Sequence, residues 1–177
     1  MPVATASQTI GPYWHLIEHK EMADLTRFGA EGERITVTGR ITDGAGDPVT
    51  DAAVEIWQSS PPADDRFPGY GRCATDGEGR FRFVTVKPEA VLGLGNQTQA
   101  PHLSIVLLAR GLMTALRTRL YFEGEALNAT DPLLSSIEDP VERATLIARP
   151  SGAGAWTLDI RLQGAEDGQI ETVFLEV

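Results

Sequence analysis

Short alternating segments separated by turn-forming residues constrain the fold of this chain more than any other feature. Arg34–Thr42 alternates apolar and polar residues and ends at Asp43–Pro48, a cluster rich in Asp, Gly and Pro. Ala53–Gln58 alternates again, and the tight turn Asp76–Gly79 leads into a third alternating segment, Arg80–Val86. A period of two residues bounded by such turns is typical of half-buried β-strands. The pattern therefore predicts a fold built mainly from strands.

The rest of the chain adds further strand signals. Four more segments are predicted to be strands: Leu103–Ala109, Arg117–Phe122, Trp156–Leu162 and Glu171–Val177. The first of these is almost wholly apolar, which predicts a strand that is buried on both faces. Ser59–Gly71 is rich in Pro, Gly and Asp, and we expect it to form a loop.

One helix is predicted near the end of the chain, over Val141–Ala148. Asp139 is suited to cap its amino end, because its carboxylate can accept hydrogen bonds from the exposed N–H groups of the first turn. Pro140 favours the first helical position and Glu142 stands at the third, which also agrees with a helix start here. Together these signals predict one antiparallel β-sandwich over residues 1–177, with an N-terminal arm (1–33) and one or two short helices.

Composition excludes several classes of function. The 177 residues suffice for one sizeable core, and a net charge of −10 opposes sequence-independent binding to nucleic acid or anionic membranes. A single cysteine, Cys73, excludes an intrachain disulfide and a cysteine-based zinc site. The first residues lack the pattern of a signal peptide, and no apolar run approaches the roughly 18 residues of a membrane helix. We expect a cytoplasmic protein.

The segment Gly39–Phe83 favours a fold more than a function. It contains two hairpin-like units whose turns rely on glycines and on Pro48 for their backbone angles. Binding and stalk modules of transthyretin-like sandwich type carry this pattern without any chemistry. One interpretation is therefore a transthyretin-like binding or structural module with no enzymatic role.

A longer ordered set of motifs points to a different family. The set comprises Ser7–Tyr13, Glu55–Gln58, Gly71–Asp76, Phe81–Pro88, Pro101-His102 and Arg119–Phe122. In this order the motifs resemble the intradiol ring-cleaving dioxygenases over nearly the whole chain, and in particular the alpha subunits of the two-subunit enzymes. The resemblance implies an oxidoreductase subunit that works in an alpha–beta hetero-oligomer.

The resemblance also implies that the metal lies on a partner chain. Catalytic beta subunits of the family hold Fe(III) with two Tyr and two His. The matching positions here include Val91 in place of one Tyr, His102 for the first His and Ser104 for the second, and the loop Ser59–Phe67 has no Tyr for the remaining position. One imidazole beside an alkyl group and a hydroxyl lacks the anionic donors that Fe(III) needs. We therefore expect no metal in this chain, no catalytic residue of its own, and Fe(III) in the beta subunit.

Four residues are carried over from the family as contributions to the partner's substrate cavity. They are Thr9, Gly11, Pro12 and Arg119. The implied substrates are O2 and a benzoate with two hydroxyl groups, whose carboxylate a guanidinium can attract. The alternative for Arg119 is a solvated strand face shared with Arg117 and Tyr121.

The remaining candidate ligands have simpler interpretations. His15 and His19 are four residues apart, but no third ligand accompanies them, so we expect solvated or interface residues. Tyr70 is expected to pack on the loop and Cys73 to be a small buried apolar group. His102 is expected to be hydrogen-bonded in a buried strand. A self-sufficient dioxygenase with an altered ligand set would need donors at these positions.

Overall fold

Eleven strands form the framework of the computed structural model, which describes residues 10–11, 14–93, 95, 97–164 and 168–175. Within this part of the chain they are β1 Arg34–Thr42, β2 Ala53–Trp57, β3 Tyr70–Ala74, β4 Arg80–Val86, β5 Val91–Leu92, β6 Thr98–Gln99, β7 His102–Leu108, β8 Leu116–Phe122, β9 Ile147–Gly152, β10 Ala155–Thr157 and β11 Ile160–Arg161. Helices α1 (Pro132–Ser136) and α2 (Pro140–Ala144) lie between β8 and β9. Short 3-10 helices span Trp14–Ile17, Lys20–Ala23 and Ala126–Ala129.

The strands form two layers that share a hydrophobic core. In one layer β3, β2, β7 and β8 are antiparallel neighbours, and in the other β4 and β10 flank β1. β9 pairs with both β8 and β10, so it joins the two layers. The core lies between them and combines, for example, Val37 and Phe83 of one layer with Ile56 and Ile105 of the other. The predicted β-sandwich is confirmed.

The sheet is mixed, whereas the sequence predicts antiparallel pairing throughout. β9 runs parallel to β8, and β10 and β11 run parallel to β1. The connection from β8 to β9 passes through α1 and α2, and a crossover of this length brings the chain back in the same direction.

Strand β7 is buried on one face, so the prediction of burial on both faces is wrong. Leu103, Ile105 and Leu107 are buried, whereas His102, Ser104 and the residues that alternate with them are only half-buried. The reason is that the inner face packs against the opposite layer while the other face has only a partial cover.

Two predicted elements near the C-terminus are shorter than expected. Helix α2 begins after the predicted cap, where the Asp139 carboxylate accepts a hydrogen bond from the Val141 N–H at 2.7 Å. It ends at Ala144 because Ile147 and Ala148 pair with β8 instead. The predicted strand Glu171–Val177 is absent over residues 171–175, where isolated backbone hydrogen bonds to β11 and β8 replace a ladder.

The second half of the predicted N-terminal arm packs on this chain's own sandwich. Trp14 is buried, and its indole N–H donates to the Asp51 carbonyl at 3.1 Å. Leu25 is fully buried in the main core. Among the described residues no helix has the length and apolar character needed to cross a membrane.

Candidate functional site

The outer face of β3, β2, β7 and β8, which points away from the main core, carries the candidate site. Strand register places four of its residues side by side in one row: Tyr70, Trp57, Ser104 and Arg119. The next row contains His102 and Tyr121. Alternate residues of a strand share a face, so both rows lie on the same side of the sheet. Two of the predicted residues, Ser104 and Arg119, are therefore cross-strand neighbours.

A second, smaller hydrophobic cluster covers one end of the outer face. It consists of Ala100, Tyr121, Leu134 and Leu146. Leu134 belongs to α1 and Leu146 follows α2, so the helical crossover closes over Tyr121. The alternation of β8 places Tyr121 on the same side as Arg119, as predicted, but Tyr121 is 0% exposed and not part of a solvated face.

A buried carboxylate organises the residues around Tyr121. The Tyr121 hydroxyl donates to Asp131 Oδ1 at 3.0 Å, and Arg119 Nη1 donates to the Tyr121 hydroxyl at 3.1 Å. Asp131 is fully buried and also accepts the N–H of Ala100 at 2.8 Å. Its Oδ1 further accepts the first free N–H groups of α1, from Leu133 at 2.9 Å and Leu134 at 3.1 Å. Asp131 thus ties three separate segments together and caps a helix at the same time.

Burial reinforces the protonated state of Tyr121. It raises the pKa of the phenol above its ordinary value, although the nearby Arg119 opposes this shift. The hydroxyl therefore keeps its proton near neutral pH. The hydroxyl donates this proton in a hydrogen bond to the Asp131 carboxylate. The lone pairs of the Tyr121 oxygen therefore remain free to accept a hydrogen bond from the Arg119 guanidinium.

His102 is a neutral, hydrogen-bonded residue beside Tyr121. Its Nδ1 lies 2.7 Å from the Ala100 carbonyl oxygen, which can only accept, so Nδ1 carries the proton. The ring centroid is 5.4 Å from that of Tyr121. Burial lowers the pKa of His102, and the charge of Arg119 adds to this effect. The expected hydrogen bond of His102 is confirmed, but the residue lies on the half-buried face of β7.

An exposed aromatic pair occupies the opposite end of the Arg119 row. Trp57 is 49% exposed, and its ring centroid lies 4.3 Å from that of Tyr70. The Tyr70 hydroxyl donates to Glu55 at 2.9 Å. The expectation that Tyr70 packs on the loop is wrong. Tyr70 begins strand β3, pairs with Trp57 of β2 and packs on its ring.

Comparison with known proteins identifies the family. A family model described as dioxygenase matches residues 11–164. The protocatechuate 3,4-dioxygenase alpha chain of Pseudomonas putida is 38% identical to this chain, over 97% of this chain and 96% of the relative. The chain belongs to the intradiol ring-cleaving dioxygenase family.

Other members of the intradiol dioxygenase family match this chain in sequence or in fold. The protocatechuate 3,4-dioxygenase beta chain of Burkholderia cepacia is 35% identical over 93% of this chain and 78% of the relative. The solved dioxygenase domain of a dioxygenase–carbohydrate-binding fusion from Streptomyces sp. SirexAA-E superposes with a TM-score of 0.61 at 26% identity, covering 94% of this chain and 97% of that one. Intradiol dioxygenases depend on iron, and the family includes both alpha and beta chains.

The residues of this intradiol dioxygenase chain do not fit an iron ion at the expected positions. His102 is a single neutral imidazole, Ser104 offers a hydroxyl beside Arg119, and Val91 is an alkyl group in the separate β5–β6 pair. Among the described residues there is no group of three or more His, Cys, Asp or Glu that could hold a metal ion. The positive charge of Arg119 next to Ser104 further disfavours a cation there.

The other predicted site residues lie elsewhere or outside the described residues. Thr9 and Pro12 are among the residues that the structure does not describe, as is the side chain of His15. Gly11, with φ +79°, lines a small cavity of about 120 Å³ with Trp14 and Asp51, and Arg119 is not part of that cavity's lining. Within this chain, therefore, the structure does not bring Gly11 and Arg119 together. The His19 side chain is exposed, and its Nδ1 lies 3.4 Å from Oε1 of Glu21.

Cys73 is the small buried group that the sequence predicts. It is 6% exposed, and burial raises the pKa of its thiol to about 12. A thiol with so high a pKa is not a reactive nucleophile near neutral pH.

Sequence reasoning missed Asp131 and did not assign Tyr121 a role. The signal for Asp131 was present, because Asp131-Pro132 repeats the cap-and-proline pattern of Asp139-Pro140. What the sequence does not contain is the long-range contact that places this cap under β8.

Proposed function

We propose that this chain is the alpha subunit of a protocatechuate 3,4-dioxygenase and that it completes the active-site cavity of an iron-bearing beta subunit. The observation that carries this proposal is the 38% identity to the Pseudomonas putida alpha chain along 97% of the sequence. The residues at the ligand positions support it, since they do not fit iron, while Arg119 remains on an accessible face. Residues within the arm 1–33, with Thr9, Gly11 and Pro12, would reach the partner's cavity.

The proposed reaction is intradiol cleavage of protocatechuate. The ring opens between the two hydroxyl-bearing carbons, both atoms of O2 enter the product, and 3-carboxy-cis,cis-muconate results. Fe(III) bound in the beta subunit would supply the chemistry that brings the catecholate and O2 to reaction. The contribution of this chain is positional: it forms one wall of the cavity, and Arg119 attracts the substrate carboxylate.

Reconstitution with the beta subunit tests the proposed function. We expect a stable complex on size-exclusion chromatography, and oxygen uptake with protocatechuate from the complex but not from this chain alone. A well-behaved monomer of 19.1 kDa that ignores the added beta subunit would contradict the proposal. It would favour the transthyretin-like module without enzymatic role.

Replacing Arg119 by alanine in the complex is expected to weaken the handling of the carboxylated substrate. The loss of a charge-assisted hydrogen bond should lower kcat/KM for protocatechuate. The corresponding loss of transition-state stabilisation is about 1–3 kcal/mol. Catechol lacks the carboxylate and should lose much less. Steady-state kinetics with both substrates measure the difference.

Arg117→Ala is the matched control, because Arg117 is an exposed arginine two residues earlier on the same face of β8. It should leave both substrates nearly unaffected. Equal losses on protocatechuate and catechol in Arg119→Ala, or no loss on either, would assign Arg119 to a solvated strand face.

A further inference from the structure

Arg119 is held at one corner of its guanidinium group. Nη1 donates to the Tyr121 hydroxyl at 3.1 Å, and among the described residues no other hydrogen bond or ion pair of this side chain is present. The edge formed by Nε and Nη2 is therefore available. That edge carries two parallel N–H donors, which is the arrangement that binds a carboxylate in a bidentate manner.

The anchor itself is rigid. Tyr121 is fully buried, its ring packs in the smaller hydrophobic cluster, and its only proton is donated to Asp131 at 3.0 Å. Asp131 in turn is fixed by the backbone N–H groups of Ala100, Leu133 and Leu134. The hydroxyl oxygen can neither rotate away nor approach another partner, so it presents a lone pair in a fixed direction. A long, flexible side chain that is tied to such a point loses conformational freedom before a ligand arrives.

The neighbours of Arg119 leave its free edge accessible. Ser104, the cross-strand neighbour in the same row, is small, and the next residue in that row is the exposed Trp57. The cover provided by α1 and by Leu146 lies over the Tyr121 row instead. Arg119 is half-buried, and its guanidinium is held from the buried side by Tyr121.

We propose that Tyr121 is a positioning residue that orients Arg119 for a bidentate contact with the substrate carboxylate and so sets the preference for carboxylated over uncarboxylated catechols. This inference rests on the proposed function. Tyr121 does not touch the substrate. It acts through Arg119, and Asp131 acts through Tyr121.

The first test is Tyr121→Phe in the assembled alpha–beta complex, which removes one oxygen and keeps the packed ring. We expect KM for protocatechuate to rise by about 5–20-fold with a smaller change in kcat, while both constants for catechol stay within about twofold. In an Arg119→Ala background, Tyr121→Phe should not change the ratio of kcat/KM for protocatechuate to kcat/KM for catechol any further, because the arginine through which Tyr121 acts is absent.

Thr118→Val is the matched control for lost stability. The Thr118 hydroxyl is also buried on β8, on the opposite face from Arg119, and donates its hydrogen bond to the Val173 carbonyl at 2.8 Å. If the Tyr121 hydroxyl has only a structural role, Tyr121→Phe and Thr118→Val should both lower Tm, and neither should change the preference for protocatechuate over catechol. That outcome would overturn the inference.

Arg119→Lys tests the same inference without altering any buried residue. A lysine keeps the positive charge but has a single ammonium nitrogen. It therefore cannot contact Tyr121 with one nitrogen and a carboxylate with two others, as the planar guanidinium can. We expect it to lose about tenfold or more of the preference for protocatechuate, and retention of the wild-type preference would contradict a positioning role. If the wild-type complex does not cleave protocatechuate at all, the proposed function fails. If the complex does cleave it, but Tyr121→Phe and Thr118→Val both lower Tm and both keep the wild-type preference for protocatechuate over catechol, only this inference fails.

Discussion

Replacing Asp131 by alanine is expected to lower the free energy of unfolding by about 3–5 kcal/mol, since it removes a fully buried acceptor of several hydrogen bonds. The substitution leaves the Ala100 N–H and the Tyr121 hydroxyl without this buried partner and removes the cap of α1. Each effect alone costs stability, and the three act at one point. Urea unfolding, with wild type at the same protein concentration, measures the change, and Tm of the complex provides a second readout.

Asp139→Ala is the matched control for the capping contribution. Asp139 caps α2 in the same Asp-Pro context, but it is exposed and accepts a single hydrogen bond, from the Val141 N–H at 2.7 Å. A cap of this kind contributes about 0.5–2 kcal/mol. Equal losses in the two variants would mean that the links from Asp131 to Tyr121 and Ala100 add nothing to stability.

The strands that the sequence predicts well are those whose pattern is decided locally. β1 and β4 begin and end where the alternation does, because each has one face in the main core and turns at its ends. Trp156–Leu162 is less regular: it divides into β10 and β11, since Leu158 turns inward and Asp159 accepts the N–H of Arg40 at 2.9 Å. Which backbone groups meet there depends on the opposite layer and not on the local sequence.

The burial of β7 and β8 shows the same limit at the site. The side chains of β8 alternate as predicted, and its Arg119 pairs with Ser104 of β7. The prediction for β7 was wrong, because only one of its faces is buried. The sequence could not show that the crossover between β8 and β9 covers Tyr121 and leaves Arg119 at the uncovered end. That difference between two residues of one strand face is set by Leu134 of α1 and by Leu146, which come more than ten residues later in the chain. A local pattern contains no information about such a cover.

The family resemblance identified the substituted ligand positions, and the structure adds why they cannot easily be restored. Ser104 pairs with Arg119, whose positive charge opposes a cation at this position. Val91 is paired with Gln99 in a separate two-stranded sheet and has an alkyl side chain. A metal site needs several donors that converge on one point, and of these three positions only His102 supplies a nitrogen donor.

The purified chain is therefore expected to contain no stoichiometric iron and to lack the colour of tyrosinate bound to Fe(III), whereas the assembled complex should contain one iron per beta chain. The double variant Val91→Tyr with Ser104→His should not bind iron either. It adds one phenol and one imidazole to His102, but Ser59–Phe67 still has no second tyrosine, and Arg119 still places a positive charge beside residue 104. Elemental analysis and visible absorption of the isolated chain, the double variant and the complex measure this. One iron per isolated wild-type chain would contradict both the assignment of the metal to the partner and the positional role proposed for this subunit.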